Sequence, residues 1–151
     1  MNFLTYLLAL IITFFGIFLG SLLVLMAPEE QKPGKKYFIW FRDILLLLVV
    51  FFLLYFNNLS LSFGFVFVLI VISLLVYFKG NSYIVYLLFA AVLYLSSKEI
   101  SFFIIEASLI FLYGLPTGSL LMDYKRKKKS FLKIFYYLYY IVIASLLFLI
   151  I

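Results

Sequence analysis

Long apolar stretches alternate along the chain with short polar interruptions, notably at 27–36, 57–60, 96–99 and 123–130. A helix needs about 20 mostly apolar residues to cross a hydrocarbon layer roughly 30 Å thick. Six stretches read as spans: Phe3–Met26, Tyr37–Phe56, Leu59–Phe78, Tyr83–Ser97, Ile100–Met122 and Phe131–Ile151. The fourth is short. Lys98 and Glu99 set it apart from the fifth, because an uninterrupted apolar run through both would far exceed one crossing. Membrane strands would alternate apolar and polar residues, whereas these segments are apolar on all sides, so helices are the remaining way to satisfy the backbone in lipid. The expected fold is all-α, a single polytopic membrane domain over residues 1–151. The opening MNFLTYLL has no basic region ahead of its apolar run and reads as a retained span, not a signal peptide.

Composition agrees with that solvent. Hydrophobic residues make up 68% and charged residues only 12% of the 151 positions, which excludes an ordinary water-facing surface. Cysteine and histidine are both absent. Disulfides, thiolate nucleophiles and sulfur ligands are thereby excluded, together with the commonest general base and the commonest nitrogen ligand for zinc or haem. No cofactor is expected.

Charge placement gives the threading. All but one of the twelve basic residues flank the first, third and fifth connections, and the exception is Lys98. Excess Lys and Arg in short loops mark the cytoplasmic side of a cell membrane, so both ends of the chain are expected outside. The net charge of +6 is therefore a topology signal and not a nucleic-acid footprint. Lys125, Arg126, Lys127, Lys128 and Lys129 read first as an anchor, with contact to anionic lipid headgroups as the functional alternative. In APEEQKPGKK, Pro28 can open a helical turn with Glu29 and Glu30 at its positive end, and Pro33-Gly34 suits a type II turn.

One phrase is written twice: GIFLGSLL at 16–23 and GLPTGSLL at 114–121. Gly16 and Gly20, like Gly114 and Gly118, are four apart and share a helix face, which permits close approach of a neighbour. Ser21 and Ser119 beside them can bond across or back to their own helix. Both copies run toward the basic side, a parallel relation unlike an inverted transporter repeat. Two equivalent hairpins, spans 1–2 and 5–6, are expected to flank a central pair, in a bundle of six helices with parallel packing of the two glycine-marked hairpins. Pro116 is expected to kink or break the fifth span.

Few residues can carry chemistry. Arg42 and Asp43 are shallow and read as anchors, and paired aspartates mean nothing until they share a site. Glu106 lies about 9 Å into the fifth span by helical rise. Glu99, Glu106, Tyr113 and Thr117 form one polar stripe on that helix, expected to face protein, with a tyrosine hydroxyl as partner of the carboxylate. Tyr136, Tyr137, Tyr139 and Tyr140 read as an interfacial belt, except that Tyr140 is deep enough to need a partner, for which the stripe on the fifth span is the candidate.

The leading functional expectation is a non-catalytic membrane subunit or assembly partner, in contact with the lipid bilayer and with other membrane proteins. A small transporter or channel built on Glu106 is the alternative. A lipid-modifying enzyme is third, since it would need several polar groups converging at the basic face.

Overall fold

A computed structural model describes residues 1–56, 82–124 and 127–150. Among these residues there are helices and no strands. They are α1 (Phe3–Met26), a single 3₁₀ turn at Pro28–Glu30, α2 (Gln31–Phe56), α3 (Ser82–Ser96), α4 (Ile100–Leu121), α5 (Lys127–Tyr136) and α6 (Tyr139–Ile150). Four helical stretches are long and apolar enough to cross a membrane: α1, the 3₁₀ turn with α2, α4, and α5 with α6. α3 is a shorter apolar helix. The molecule is thus an all-helical protein suited to a membrane. The expected third span, Leu59–Phe78, and the external turn NNLS lie outside the described residues.

α1 shows why an apolar helix needs no obvious polar face to have an inside. Its buried stripe, Tyr6, Leu10, Thr13, Ile17, Gly20 and Val24, recurs every three or four residues. Leu4, Leu8, Ile12, Phe15, Leu19 and Leu23 on the other side are exposed. The inner face carries the small and hydroxyl-bearing residues and the outer face the bulky aliphatic ones, as expected where lipid is the solvent and packing drives association.

The two glycine phrases meet each other. A methyl group at Gly16 would collide with the Phe111 carbonyl oxygen, and one at Gly20 with that of Leu115. Conversely, one at Gly118 would collide with the Ile17 carbonyl, and one at Gly114 would lie 2.7 Å from the Gly16 carbonyl carbon. Gly20 faces the residue three before Gly118, and Gly118 faces the residue three before Gly20. α1 and α4 therefore pack in parallel through a reciprocal contact, the most extensive between any two described elements. The expected parallel packing of the two glycine-marked hairpins is thus present, but as a direct contact of the glycine phrases and not with a central pair between them. The serines break the symmetry. Ser119 Oγ donates across to the Gly20 carbonyl at 2.9 Å, while Ser21 Oγ turns back to Phe18 of its own helix at 2.7 Å.

The remaining described helices run antiparallel to this pair. Phe56 at the end of α2 stacks on Phe102 near the start of α4, with ring centroids 4.6 Å apart. α3 joins α4 through the turn at Ser97–Glu99, where the Ser97 and Glu99 amides bond back to α3 carbonyls. Phe131 of α5 lies beside Phe18 of α1, and Phe148 of α6 stacks on Tyr6, at 6.5 and 4.5 Å. One end of the bundle thus gathers Met26, Gln31, Ser82, Leu121 and Lys127, and we call it the basic end. Ser97–Glu99 lies at the other, the Lys98 end. α4 occupies the centre, packed against α1, α2 and α3.

Three local expectations are revised. α2 starts at Gln31, so Pro33 and Gly34 lie in its first turn and not in a type II turn. Proline fits there because the first-turn amides have no helical partner to lose. Of the kink or break expected at Pro116, the break is absent, since α4 continues through it. The last span, read as one helix, is divided at Tyr137–Leu138. There the amides of Tyr137, Leu138, Tyr140 and Ile141 each bond the carbonyl three residues back, a 3₁₀ pattern. In such a turn residues three apart eclipse, so Tyr137 and Tyr140 both point inward and are fully buried.

Candidate functional site

The inner face of α4 carries Glu106, Tyr113 and Thr117, all buried, at the spacing that places them in one column. Thr117 Oγ1 donates back to the Tyr113 carbonyl at 2.8 Å. Glu99, the first member of the expected stripe, is exposed at the Lys98 end. Between it and Glu106 stand Phe102 and Phe103, each only 4% exposed.

Beside this column α3, the Tyr137–Leu138 turn and α6 contribute a cluster of tyrosines. Tyr86 of α3 is at its centre, with ring centroids 5.9 Å from Tyr113, 5.1 Å from Tyr137 and 5.3 Å from Tyr140, all edge-on. Phe89 closes the group edge-on to Tyr113 at 4.9 Å. Tyr83 stacks on Tyr137 at 4.5 Å. Edge-to-face pairs add a fraction of a kcal/mol to about 1.5 kcal/mol beyond burial, so the cluster is a stable piece of core.

The hydroxyls are divided between satisfied and unsatisfied. Tyr140 Oη and Thr13 Oγ1 lie beside one another, each 2.8 Å from the Leu10 carbonyl, so that with one proton apiece one hydroxyl donates to the carbonyl and the other to the carbonyl or to its neighbouring hydroxyl. The partner of Tyr140 is therefore α1, not the stripe on α4 where it was expected. Tyr6 Oη donates to the Ala144 carbonyl at 3.4 Å, and Tyr139 Oη donates to that of Tyr83. Arg42 and Asp43 pair with one another at 3.0 Å, the former side chain 15% and the latter 51% exposed.

Two side chains have nothing. Glu106 is fully buried, and neither carboxylate oxygen has a hydrogen-bond partner among the described residues. The Tyr86 hydroxyl is in the same position. The tyrosine expected to hold Glu106 does not do so. A buried polar atom without a partner forgoes about 1–3 kcal/mol, more if charged, and native proteins keep such atoms mainly where they are used. Chemically, the arrangement offers one carboxylate in an apolar interior and one free phenol nearer the basic end.

Sequence reasoning missed Tyr86, Thr13 and the inward turn of Tyr137. Tyr86 had no signal of its own: it stands three residues into the expected fourth span, where it reads like any interfacial tyrosine. Thr13 had none either, since a lone threonine in a membrane helix ordinarily bonds its own backbone.

The basic end is built separately. Gln31 Nε2 donates to the Ser119 carbonyl at 3.2 Å and to that of Met122, capping the C-terminal end of α4 from the α1–α2 connection. A cavity of about 270 Å³ beside it is lined by Lys32, Lys35, Phe38, Leu120 and Asp123. Lys127 lies over the Tyr124 ring at 4.2 Å, and Lys127, Lys128 and Lys129 are exposed. Lys125 and Arg126 lie outside the described residues. An apolar groove of about 580 Å³ separates α1 from α4 nearer the Lys98 end, lined by Leu8, Ile12, Phe103, Ile104 and Leu112. Among the described residues no three His, Cys, Asp or Glu side chains come together in a way that could hold a metal. Comparisons with protein-family models, with curated proteins and with solved structures return no match.

Proposed function

We propose that this is a multi-pass integral membrane protein that moves a small cation or proton across the bilayer, with Glu106 as the intramembrane group that binds it. The observation that carries the reading is the Glu106 carboxylate, buried in the bundle with neither oxygen hydrogen-bonded among the described residues. Ionisable residues inside a membrane are costly and mark ion or proton pathways when they face protein. A carboxylate kept only for packing would be bonded, as Tyr140 and Thr13 are.

The charge distribution supports a cell-membrane location with the basic end cytoplasmic and the Lys98 end outside. Exposed Lys127, Lys128 and Lys129, with Lys125 and Arg126 next to them in sequence, suit contact with anionic headgroups, each worth about 1 kcal/mol near the surface. The competing reading, a non-catalytic subunit of a larger complex, accounts for the lack of soluble mass but gives Glu106 no role. Reconstitution into vesicles separates the two. Glu106→Gln is expected to abolish cation or proton flux while leaving the bundle folded. Flux unaltered by that change removes the transport reading, and co-purification of a partner from native membranes then supports the subunit.

A further inference from the structure

Resting on the headgroup contact proposed above for the basic end, and not on transport, we infer that the groove between α1 and the last two helices seats one acyl chain of an anionic phospholipid. Lys127 and Lys128 hold the phosphate of that lipid at the mouth of the groove.

The seat is a cavity of about 370 Å³, lined by Ile11, Phe15 and Phe18 on α1 and by Phe131, Leu138 and Ile141 on the facing side, and all its lining residues are apolar. Its volume falls within the roughly 300–1,000 Å³ of small-molecule sites. Its direction and depth fit a lipid of the leaflet at the basic end. From Phe131 to Ile141 is about 15 Å by helical rise, half of a hydrocarbon layer roughly 30 Å thick. Farther from the basic end α1 and α6 meet directly, where Tyr6 Oη donates to the Ala144 carbonyl at 3.4 Å and Tyr6 stacks on Phe148 at 4.5 Å. The groove therefore starts near the basic end and stops near the midplane, the reach of one chain hanging from a headgroup at that surface. A partner helix crossing the membrane would need a stripe along the whole span, and this groove runs half of it.

The sign of the headgroup follows from what stands at the mouth. Lys127 and Lys128 precede Phe131 by four and three residues, so they share its face of α5 one turn nearer the basic end, and both are exposed. α5 carries Lys127, Lys128, Lys129 and Lys133 and no carboxylate. Asp123, in the connection before it, lines the separate cavity beside Lys32 and Lys35. These cations do not serve the helix itself. Three of them fall in its first turn, where positive charge opposes the helix dipole, and a phosphate there complements the lysines and the dipole together. The Tyr124 ring, 4.2 Å from the Lys127 ammonium, holds that charge without neutralising it. The larger groove between α1 and α4 has no lysine or arginine among the described residues that line it, and so has no cation of this kind to select a headgroup.

The test titrates the full chain, in micelles of an uncharged detergent, with phosphatidylglycerol or phosphatidylcholine and follows the first lipid bound by native mass spectrometry. Phosphatidylglycerol is expected to bind at least tenfold more tightly than phosphatidylcholine. Lys127→Gln together with Lys128→Gln is expected to bring that ratio within twofold of unity. Lys32→Gln together with Lys35→Gln removes the same charge at the same end and is expected to leave the ratio within threefold of the original. Ile11→Trp, which fills the groove, is expected to weaken phosphatidylglycerol binding at least fivefold. Ile12→Trp, beside it but lining the α1–α4 groove, is expected to leave binding within twofold. A preference that survives the first lysine pair, or falls equally with the second, overturns the site and leaves a diffuse headgroup attraction standing. No preference in the unaltered chain overturns the headgroup contact and the site together. Equal effects of the two tryptophans, or glycerol phosphate bound as tightly as the lipid, overturn the acyl-chain seat.

Discussion

At the scale of single residues, Tyr140 and Tyr86 belong to one aromatic cluster yet differ in what holds their oxygens. Tyr140 is bonded twice on α1, through Leu10 and Thr13, while Tyr86 has no partner among the described residues. Removing the Tyr140 hydroxyl leaves Thr13 still bonded to Leu10, so no donor is orphaned on that side. Tyr140→Phe is therefore expected to destabilise by about 1 kcal/mol, at the modest end for a buried hydrogen bond and in keeping with interhelical bonds in membranes. Unfolding in detergent by graded addition of a denaturing surfactant measures it. A loss of less than a few tenths of a kcal/mol would count against the bond. Gln31→Ala is expected to cost about as much, because it releases two carbonyls at the end of α4, of Ser119 and Met122, although water at the basic end can replace part of the loss.

Between elements, the α1–α4 seam leaves no room for a side chain. The groups facing Gly20 and Gly118 are backbone, which cannot swing aside as a flexible side chain can. Gly20→Ala and Gly118→Ala are each expected to destabilise by about 1–3 kcal/mol or more by forcing the helices apart, the usual range for overpacking. Gly34 is the control. A methyl group there would meet only the edge of the Phe38 ring at 3.1 Å, and the partly buried Phe38 can move. Relief of glycine's backbone entropy inside a helix is worth roughly 0.5–1 kcal/mol, so Gly34→Ala is expected to stay within about 1 kcal/mol of the original, on either side. Equal losses at all three positions would show that the seam is not where stability resides. The 3₁₀ turn at Tyr137–Leu138 is the other element-level device. It spends some helical hydrogen-bond geometry to aim Tyr137 and Tyr140 at the same interior, which a continuous α-helix would splay by about 60°.

For the whole molecule, the two ends are distinguished by charge and can be tested directly because the chain has no cysteine of its own. Single cysteines at Lys98, at the Lys98 end, and at Glu29 or Lys128, at the basic end, occupy exposed positions. With the basic end cytoplasmic, an impermeant thiol reagent added to intact cells is expected to label the first and not the other two until the membrane is opened. The reverse pattern would invert the threading. It would not disturb the α1–α4 seam, which depends on packing and not on which compartment each end faces.

Much of this architecture is legible without coordinates, and the reason is the solvent. Burying a helix in lipid requires length and apolarity in a continuous stretch, which are properties of neighbouring residues, so α1, α2, α4 and the turn at Lys98 can be read along the chain. Glycines four apart likewise declare that something must come close. Which partner comes close is another matter. In a soluble helix the apolar stripe names the buried face, but here both faces are apolar, and the inside is marked only by a few small or hydroxyl-bearing residues. Facing is then chosen by van der Waals fit and isolated hydrogen bonds between segments far apart in sequence, such as Ser119 with Gly20, 99 residues away. That is why only the tertiary structure sets the register in which the two glycine phrases meet and gives Tyr140 to α1. It is also why only the folded bundle reveals Glu106 and Tyr86 as the two buried groups left without a hydrogen bond among the described residues.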